Sequence, residues 1–287
     1  MNKFCIITNN DKDKDYDFSN MIKGYLESQN KVCTIVQEAE NHVNEYDPYI
    51  DVSVIERDTD CVIVLGGDGT LIQAANDLVH LNIPILGVNL GTLGFLTEVE
   101  KINIIPVLNR LFVDDYRLEN RMMLKGDIKD LYSGYALNDI VISKRGQCRI
   151  IMIKVYINDR LVDTYLCDGI VVSTATGSTG YNLSAGGPIV VPEMECMMIT
   201  AICPHTLNNR CIMVSPTDKI VLELGKSKET VLDEANAIFD GRLVTSLVSG
   251  DKILIKRAKE VTTLVKATDT SFFELVQTKI LKGGSKS

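Results

Sequence analysis

Apolar runs alternate with helically spaced apolar residues over the first third of the chain. Four short runs predict strands, and the third is unbroken, which is typical of a strand buried on both faces: residues 3–8, 31–36, 61–65 and 83–88. Helical spacing predicts helices after the first and third runs and over residues 104–112. The apolar residues at this spacing are Phe18, Met21, Ile22, Tyr25 and Leu26 in the first helix, and Leu71, Ile72, Ala75, Leu78 and Val79 in the second. Residues 37–60 are acidic with little periodicity, so we expect a surface loop or a frayed helix there. The alternation predicts a parallel sheet covered by helices.

From residue 116 to residue 267 the pattern is one of strands without any long helical period. Residues 154–157 and 161–162 flank Asn158-Asp159, which predicts a hairpin, and further strands are expected at 140–143, 169–173, 219–224 and 252–256. Helical spacing returns in residues 271–281, through Phe272, Phe273, Leu275, Val276 and Ile280. We therefore predict an α/β domain with a Rossmann-like parallel sheet (1–116), an all-β sandwich-like domain (117–267) and a C-terminal helix that returns to the first domain (268–287).

Composition places the chain among globular proteins. Hydrophobic residues make up 45% of the 287 positions and charged residues 24%, which excludes extensive disorder and fibrous repeats. No stretch approaches the roughly 20 apolar residues that a membrane span needs. The apolar run near residue 1 is too short for a secretion signal. We expect a soluble, cytoplasmic protein that does not bind membranes.

Charge and cysteine spacing exclude two further classes. Thirty basic residues against 38 acidic ones give a net charge of −8, which argues against nucleic-acid binding but permits an anionic small ligand. The cysteines form no C-x-x-C pair, and His42, His80 and His205 are scattered. Buried reduced thiols are therefore expected rather than a zinc site or disulfides: Cys5, Cys33, Cys61, Cys148, Cys167, Cys196, Cys203 and Cys211.

The strongest local signal is a turn of three glycines around one aspartate, directly after the buried strand at 61–65. Gly66, Gly67 and Gly69 allow a phosphate to approach backbone amides closely, and the helix that follows adds a partial positive charge. Asp68 would repel a phosphate unless it orients a hydroxyl, accepts its proton or holds Mg²⁺. The alternative is a glycine-rich turn in which Asp68 is only a helix N-cap.

Two other phosphate-binding motifs do not fit. The chain has no G-x-x-x-x-G-K-[ST], which excludes a Walker-type loop. The glycines of residues 87–94 miss the G-x-G-x-x-G spacing, which disfavours an ordinary dehydrogenase.

Two more segments carry groups suited to a nucleotide. Residues 168–188 are dense in hydroxyls and glycine, and such neutral donors suit ribose and phosphate oxygens, although Ser/Thr/Gly runs are often plain loops. Asn138-Asp139 places an amide and a carboxylate at a strand entrance, where they could bind a base edge and a ribose diol or form only a turn.

Taken in order, these segments resemble the ATP-dependent NAD kinase family over nearly the whole chain. The matching segments are 66–70, 87–97, 137–139, 168–188, 203–210 and 239–242. The resemblance implies the two-domain fold predicted above. It also implies transfer of the γ-phosphoryl of ATP to the 2′-hydroxyl of the adenosine ribose of NAD, with Mg²⁺ or another divalent cation carried by ATP, in a homodimer or homotetramer.

The resemblance implies a role for each matching position. Asp68 would be the catalytic proton acceptor, with the three glycines around it near phosphates. Asn138 and Asp139 would bind the adenosine half of NAD, and Asp168 the nicotinamide end, at a site that a neighbouring subunit could share. The remaining residues implied to line the ligand cleft are Arg149, Thr176, Thr179, Gly180, Tyr181, Asn182, Leu183, Ser184 and Arg242. His205 is expected to be structural.

Three positions depart from the family pattern. Asp139 stands where the family usually has glutamate, so the contact with ribose would be displaced or mediated by water. Ala175 replaces a proline and Gly180 an alanine, and both changes make the segment more flexible in the unbound state. None of the three removes a group that the chemistry needs.

Three other activities compete with NAD phosphorylation. A lipid or sphingoid-base kinase shares the Gly-Gly-Asp-Gly turn but would need an apolar acceptor pocket, whereas residues 174–184 are polar. A non-catalytic NAD sensor would not need Asp68. A redox enzyme using NADP would show hydride transfer without ATP.

Overall fold

The computed structural model describes residues 1–8, 12–36, 50–146, 150–206, 210–227, 232–268 and 270–281. Within these residues the chain forms two compact units. The first takes the residues up to Asn120 and those from Thr262 onward, and the second takes Arg121–Val261.

A parallel sheet forms the centre of the first unit. Its elements in chain order are β1 (Lys3–Thr8), α1 (Asp17–Ser28), β2 (Val32–Val36), β3 (Cys61–Gly66), α2 (Asp68–Asp77), β4 (Ile85–Asn89), β5 (Val99–Glu100) and α3 (Ile104–Phe112). The strands pair in the order β2-β1-β3-β4, all parallel, and β5 pairs with β4. All six residues of β3 are buried, as its unbroken apolar sequence predicts.

The parallel register brings three strand ends to one edge of the sheet. Thr8 pairs with Leu65, and Gly66 pairs with Asn89, so β1, β3 and β4 end side by side. Ligands of open α/β sheets bind beyond the carboxyl ends of the strands. A ligand site is therefore expected among the residues that follow these strands.

The strands and helices predicted for this unit are confirmed, with small differences at their ends. β4 begins at Ile85 rather than at residue 83, and α2 ends at Asp77. Leu78 and Val79 are buried as predicted but lie just beyond the helix. Of the acidic segment 37–60, residues 37–49 lie outside the described part of the chain, and residues 52–54 form a short 3₁₀ turn.

The second unit is made of two antiparallel layers. Its elements are β6 (Arg117–Ile128), β7 (Tyr132–Ala136), β8 (Asp139–Lys144), β9 (Ile151–Ile157), β10 (Arg160–Cys167), β11 (Gly169–Thr174), α4 (Tyr181–Ser184), β12 (Met197–Ile202), β13 (Ile212–Val214), β14 (Ile220–Leu224), β15 (Glu234–Phe239), β16 (Arg242–Val248) and β17 (Lys252–Lys266). One layer has the order β13-β12-β11-β8-β15-β16, and the other contains β10-β9-β14-β17. Apolar residues of both layers, such as Ile142 and Leu222, form one buried cluster, which is the arrangement of a sandwich.

The predicted hairpin is present, and the last strand, β17, is longer than predicted. β9 and β10 are joined by Asn158 and Asp159, whose φ angles of 48° and 64° are those of a tight hairpin turn. β17 runs to Lys266 instead of ending at residue 256. The change of compact unit falls inside β17, before Thr262, and the predicted domain boundaries after residues 116 and 267 stay predictions.

The last helical segment belongs to the first unit. The helix α5 (Phe272–Val276) begins with a capping box between Ser271 and Glu274. The ring of Phe272 lies 5.9 Å from that of Phe95. The predicted fold class, an α/β domain and a β-sandwich-like domain with the terminal helix on the first, is confirmed. No helix in the described ranges is long and apolar enough to cross a membrane.

Candidate active site

The glycine turn forms the junction between β3 and α2 in the first unit. Gly66 ends β3, Gly67 is the N-cap of α2 in an extended conformation, and Asp68 is the first helical residue. The amides in the first turn of a helix have no partner within the helix and bind anions well. Gly67 rather than Asp68 is the N-cap, so the alternative in which Asp68 is only a helix N-cap does not fit.

The carboxylate of Asp68 is held by a second segment of the same unit. Its Oδ2 accepts a hydrogen bond from Phe95 N at 2.7 Å. Its Oδ1 accepts from Leu96 N at 3.1 Å, from Thr97 N at 3.0 Å and from the Thr97 hydroxyl at 3.0 Å. The side chain is thereby fixed in one orientation at the N-terminus of α2.

Gly94 makes this arrangement possible. A Cβ atom at this position would overlap the carboxylate of Asp68 and crowd the hydroxyl of Thr97. The requirement is therefore one of space rather than of backbone conformation. Sequence reasoning used residues 87–97 to disfavour a dehydrogenase and to support the family resemblance, and it missed this contact; the glycine at 94 was the available signal.

Lys12 brings positive charge close to the glycine turn. A Cβ atom built on Gly67 would lie 3.4 Å from Lys12 Nζ. The neighbouring Asp13 is 4% exposed and accepts hydrogen bonds from Thr8 and Phe18 and from both Ser19 N and Ser19 Oγ. Burial alone would raise the pKa of Asp13, but these hydrogen bonds outweigh it and hold the pKa below its usual value. The loop that carries Lys12 is thus tied to the end of β1, and sequence reasoning missed Lys12 altogether.

In the second unit, Asp240 holds the backbone of the Asn138-Asp139 pair. Its Oδ2 accepts from Leu137 N at 2.6 Å, and its Oδ1 accepts from Asn138 N at 2.8 Å and Asp139 N at 2.9 Å. Asp240 itself lies in the tight turn between β15 and β16, with φ 48°. Asp240 lies in a family-like segment, but sequence reasoning gave it no role.

Asn138 and Asp139 place an amide and a carboxyl group at the start of β8. Asp139 is 6% exposed, and burial raises its pKa to about 7, with the charge of Asp240 adding to the increase. The Oδ1 atom of Asn138 is buried and has no hydrogen-bond partner among the residues that the structure describes. A buried amide oxygen without a partner is unfavourable unless a ligand or water donates to it.

The hydroxyl-rich segment after β11 packs against the same pair. Thr174 donates through N and Oγ1 to the carbonyls of Asn138 and Leu137, at 2.8 and 2.7 Å. A side chain at Gly177 would overlap the Asn138 carbonyl, and a Cβ on Gly180 would lie 3.5 Å from Asn138 Nδ2. Three residues that the sequence predicted to share one site, Asn138, Asp139 and Gly180, are thus brought together.

Comparison with known proteins identifies the family. Residues 4–116 match the model described as ATP-NAD kinase N-terminal domain, and residues 137–267 match ATP-NAD kinase C-terminal domain. The NAD kinase of Lachnoclostridium phytofermentans is 46% identical over 285 residues, covering 97% of this chain and 99% of that one. The chain belongs to the ATP-NAD kinase family. The NAD kinase of Lachnospira eligens is 41% identical over 293 residues, covering 98% of this chain and all of that one.

Solved structures of ATP-NAD kinase relatives share the fold. An NAD kinase from Archaeoglobus fulgidus in complex with ATP matches with a TM-score of 0.75 at 23% identity, over 97% of this chain and 98% of that one. Yeast NADH kinase complexed with NADH matches with a TM-score of 0.77 at 21% identity, over the whole of this chain and 89% of that one. At these identities the likeness establishes the fold. The family resemblance predicted from the sequence is confirmed.

One residue predicted to line the ligand cleft of the ATP-NAD kinase chain lies inside the protein. Asn182 has no exposed surface, its Oδ1 accepts from Thr200 Oγ1 at 2.7 Å, and its Nδ2 donates to the carbonyl of Pro188 at 3.3 Å. The side chain holds the segment after β11 against β12 from within. The predicted place of Asn182 in the ligand cleft stays a prediction.

The other predicted residues differ in accessibility. Tyr181 and Ser184 are exposed, Thr179, Gly180 and Leu183 are partly buried, and Thr176 is 9% exposed with its hydroxyl accepting from Arg121 Nη1 at 3.3 Å. Asp168 is paired with Lys144 at 2.6 Å, a contact that the sequence did not suggest. Arg242 begins β16 directly after the turn at 240–241. Arg149 lies outside the described residues.

The burial of the cysteines was predicted with mixed success. Cys5, Cys33, Cys61, Cys167 and Cys196 are buried free thiols as predicted, but Cys203 is exposed and Cys211 half-buried; Cys148 lies outside the described residues. No group of three or more His, Cys, Asp or Glu side chains that could hold a metal ion occurs in the described ranges. His205 is exposed.

Proposed function

We propose that this chain transfers the γ-phosphoryl group of ATP to the 2′-hydroxyl of the adenosine ribose of NAD, which gives NADP and ADP. The observation that carries the proposal is the placement of Asp68 at the amide-rich N-terminus of α2, in a chain that belongs to the ATP-NAD kinase family. The amides would bind phosphate oxygens, and the carboxylate would serve the hydroxyl.

In the proposed step, the 2′-hydroxyl gives its proton to the carboxylate of Asp68. Its oxygen forms a bond to the γ-phosphorus, and the bond from that phosphorus to the β–γ bridging oxygen breaks. ADP leaves with the electron pair of that bond. Phosphoryl transfer depends mainly on positioning and on stabilising negative charge, which the glycine turn, the first amides of α2 and Lys12 would provide.

The second unit would hold the rest of NAD. Asn138 and Asp139 would bind the adenosine half, and a donor of the ligand would satisfy the buried Oδ1 of Asn138. Asp168, which is paired with Lys144, would contact the nicotinamide end. A carboxyl group whose pKa is about 7 can donate or accept a hydrogen bond near neutral pH, and either suits a ribose diol. Thr176, Thr179, Gly180, Tyr181, Leu183, Ser184 and Arg242 would line the ligand, with Asn182 as internal support.

The metal and the assembly follow from the family alone. Mg²⁺ would enter with ATP as part of that substrate, bound by phosphate oxygens, and would neutralise charge on the transferred group. The homodimer or homotetramer, the cytoplasmic location and the role of Arg149 remain predictions.

A coupled assay for NADP tests the proposal. The chain is given ATP and NAD, and NADP is measured with an NADP-specific dehydrogenase; we expect NADP to form in proportion to enzyme. Parallel reactions with a sphingoid base as acceptor, and with NADP plus a reducible substrate in the absence of ATP, test the two enzymatic alternatives. Binding of NAD without any transfer of labelled phosphate from ATP would instead establish the non-catalytic sensor.

A further inference from the structure

The two oxygens of Asp68 have different surroundings. A carboxylate oxygen has two lone pairs suited to hydrogen bonds. Oδ1 receives three donors, Leu96 N, Thr97 N and the Thr97 hydroxyl, and is therefore fully occupied. Within the described residues Oδ2 receives Phe95 N alone. Oδ2 is therefore the oxygen with room for a further hydrogen-bond partner.

Asn89 fixes the direction in which the Thr97 hydroxyl donates. Asn89 is 3% exposed and is the last residue of β4, where it pairs with Gly66. Its Oδ1 accepts from Gly91 N, and its Nδ2 donates to the Thr92 carbonyl, so the orientation of the amide is set. The same Nδ2 faces Thr97 Oγ1 at 3.5 Å, the long end of a hydrogen bond.

A hydroxyl group has one proton to donate. Because the Asn89 amide nitrogen can only donate, the Thr97 hydroxyl accepts from it and directs its own proton to Asp68 Oδ1. Thr97 has no exposed surface, so water does not compete for either contact. Asn89, Thr97 and Asp68 thus form a buried chain of hydrogen bonds with one defined direction.

We propose that Thr97, oriented by Asn89, is a positioning residue that occupies Oδ1 of Asp68 and leaves Oδ2 as the atom that accepts the proton of the ribose hydroxyl. The inference rests on the proposed function, since it concerns how Asp68 carries out that step. Without the Thr97 hydroxyl, Oδ1 keeps its two backbone donors but loses the third, so the carboxylate is held less firmly and can rotate or take up water.

Thr97→Val and Thr97→Ser provide the test, because valine keeps the shape of threonine and loses the hydroxyl, whereas serine keeps it. We expect kcat of Thr97→Val to fall about tenfold or more, because the hydrogen bond that it loses is made to a charged group and is therefore a strong one. The KM values for ATP and NAD should stay within about twofold, and Thr97→Ser should keep most of kcat. A purely structural role would not produce this separation of kcat from KM with rescue by serine.

Two further variants guard against a folding artefact. Thr59→Val removes another buried hydroxyl of the same unit, at the opposite end of β3 from the glycine turn, and should leave kcat within about twofold. Asn89→Asp keeps the shape of the side chain but presents an acceptor to Thr97, which draws the hydroxyl proton away from Asp68. It should lower kcat as Thr97→Val does, whether or not Thr97→Val folds.

The outcomes separate this inference from the proposed function. If the unaltered chain makes NADP and both Thr97→Val and Asn89→Asp turn over at its rate, the inference is overturned while the function stands. If Thr97→Ser is as slow as Thr97→Val, the hydroxyl is not responsible and the inference is overturned as well. Absence of NADP from the unaltered chain overturns the proposed function and the inference with it.

Discussion

Lys12 places a cation beside the glycine turn of a chain whose net charge is −8. A triphosphate carries several negative charges, and the amides of a helix N-terminus offset only part of them. A lysine ammonium in contact with a phosphate forms a charge-assisted hydrogen bond, which is about twice as strong as a neutral one. At the scale of single residues, ATP binding should therefore depend on Lys12.

We expect Lys12→Ala to raise the KM for ATP about tenfold, the equivalent of roughly 1.4 kcal/mol, and to leave the KM for NAD unchanged. Lys12→Arg should recover most of the affinity because it keeps the charge. Initial rates with each substrate varied in turn provide the measurement. Lys14→Ala removes an equally exposed lysine two positions away and is the control; an equal effect in both alanine variants would refute a specific role for Lys12.

Residue-scale predictions from sequence succeeded where the chemistry lies within a few neighbouring positions. The glycines around Asp68 and the Asn138-Asp139 pair are visible as local patterns. Their partners are not, because Thr97 is 29 positions from Asp68, and Asp240 is 101 positions from Asp139. Such contacts depend on strand register, which the sequence pattern does not specify without the paired strand.

At the scale of elements, the segment after β4 acts as a cradle for the N-terminus of α2. Three consecutive amides, of Phe95, Leu96 and Thr97, point at one carboxylate, and this is possible only because residue 94 has no side chain. The cradle therefore depends on the backbone shape of residues 95–97 and on the absence of a Cβ atom at position 94. A single substitution at position 94 tests the second requirement.

We expect Gly94→Ala to lower kcat about 100-fold or more, because the new Cβ displaces the Asp68 carboxylate from its amides. Gly91→Ala is the matched control, since a Cβ there would meet only Asn89 Oδ1, at an ordinary 3.9 Å. The two variants are compared by kcat at saturating substrates and by melting temperature. Equal activity of the two would contradict the cradle.

Element-scale predictions failed where one strand serves both units. The apolar pattern of residues 252–256 predicted a short strand, but β17 continues to Lys266 and pairs in parallel with β4 through Leu264 and Ile85. Alternation weakens after residue 256 because the strand changes neighbours, so a pattern based on one buried face stops too early. The short helices around residues 176–184 were likewise not predicted, because they are too short to show a helical period of apolar residues.

At the scale of the whole molecule, stability should depend on pH through Asp139. Its pKa is about 7 in the folded chain against 3.8 for an ordinary aspartate, so the folded state binds this proton more tightly than the unfolded state does. The stability from this group is complete below about pH 4 and is lost as the pH rises through 7. The difference corresponds to roughly 4 kcal/mol at most.

Asp139→Asn removes that dependence while keeping the size of the side chain. We expect the variant to gain stability relative to the unaltered chain by about 2–4 kcal/mol between pH 4.5 and pH 8.5. Urea unfolding at both pH values gives the difference. Asp163→Asn on the exposed strand β10 is the control and should show no comparable gain. A constant difference between the Asp139 variant and the unaltered chain would contradict the raised pKa.

The kcat of Asp68→Asn tests the central claim most directly. The amide keeps the shape of the side chain and its place at the start of α2 but cannot take up the hydroxyl proton. Removing a general base lowers kcat by about 10²–10⁴-fold, and we expect a loss of that size with the KM values for ATP and NAD within about threefold. Turnover equal to that of the unaltered chain would show that the hydroxyl loses its proton elsewhere and would contradict the account.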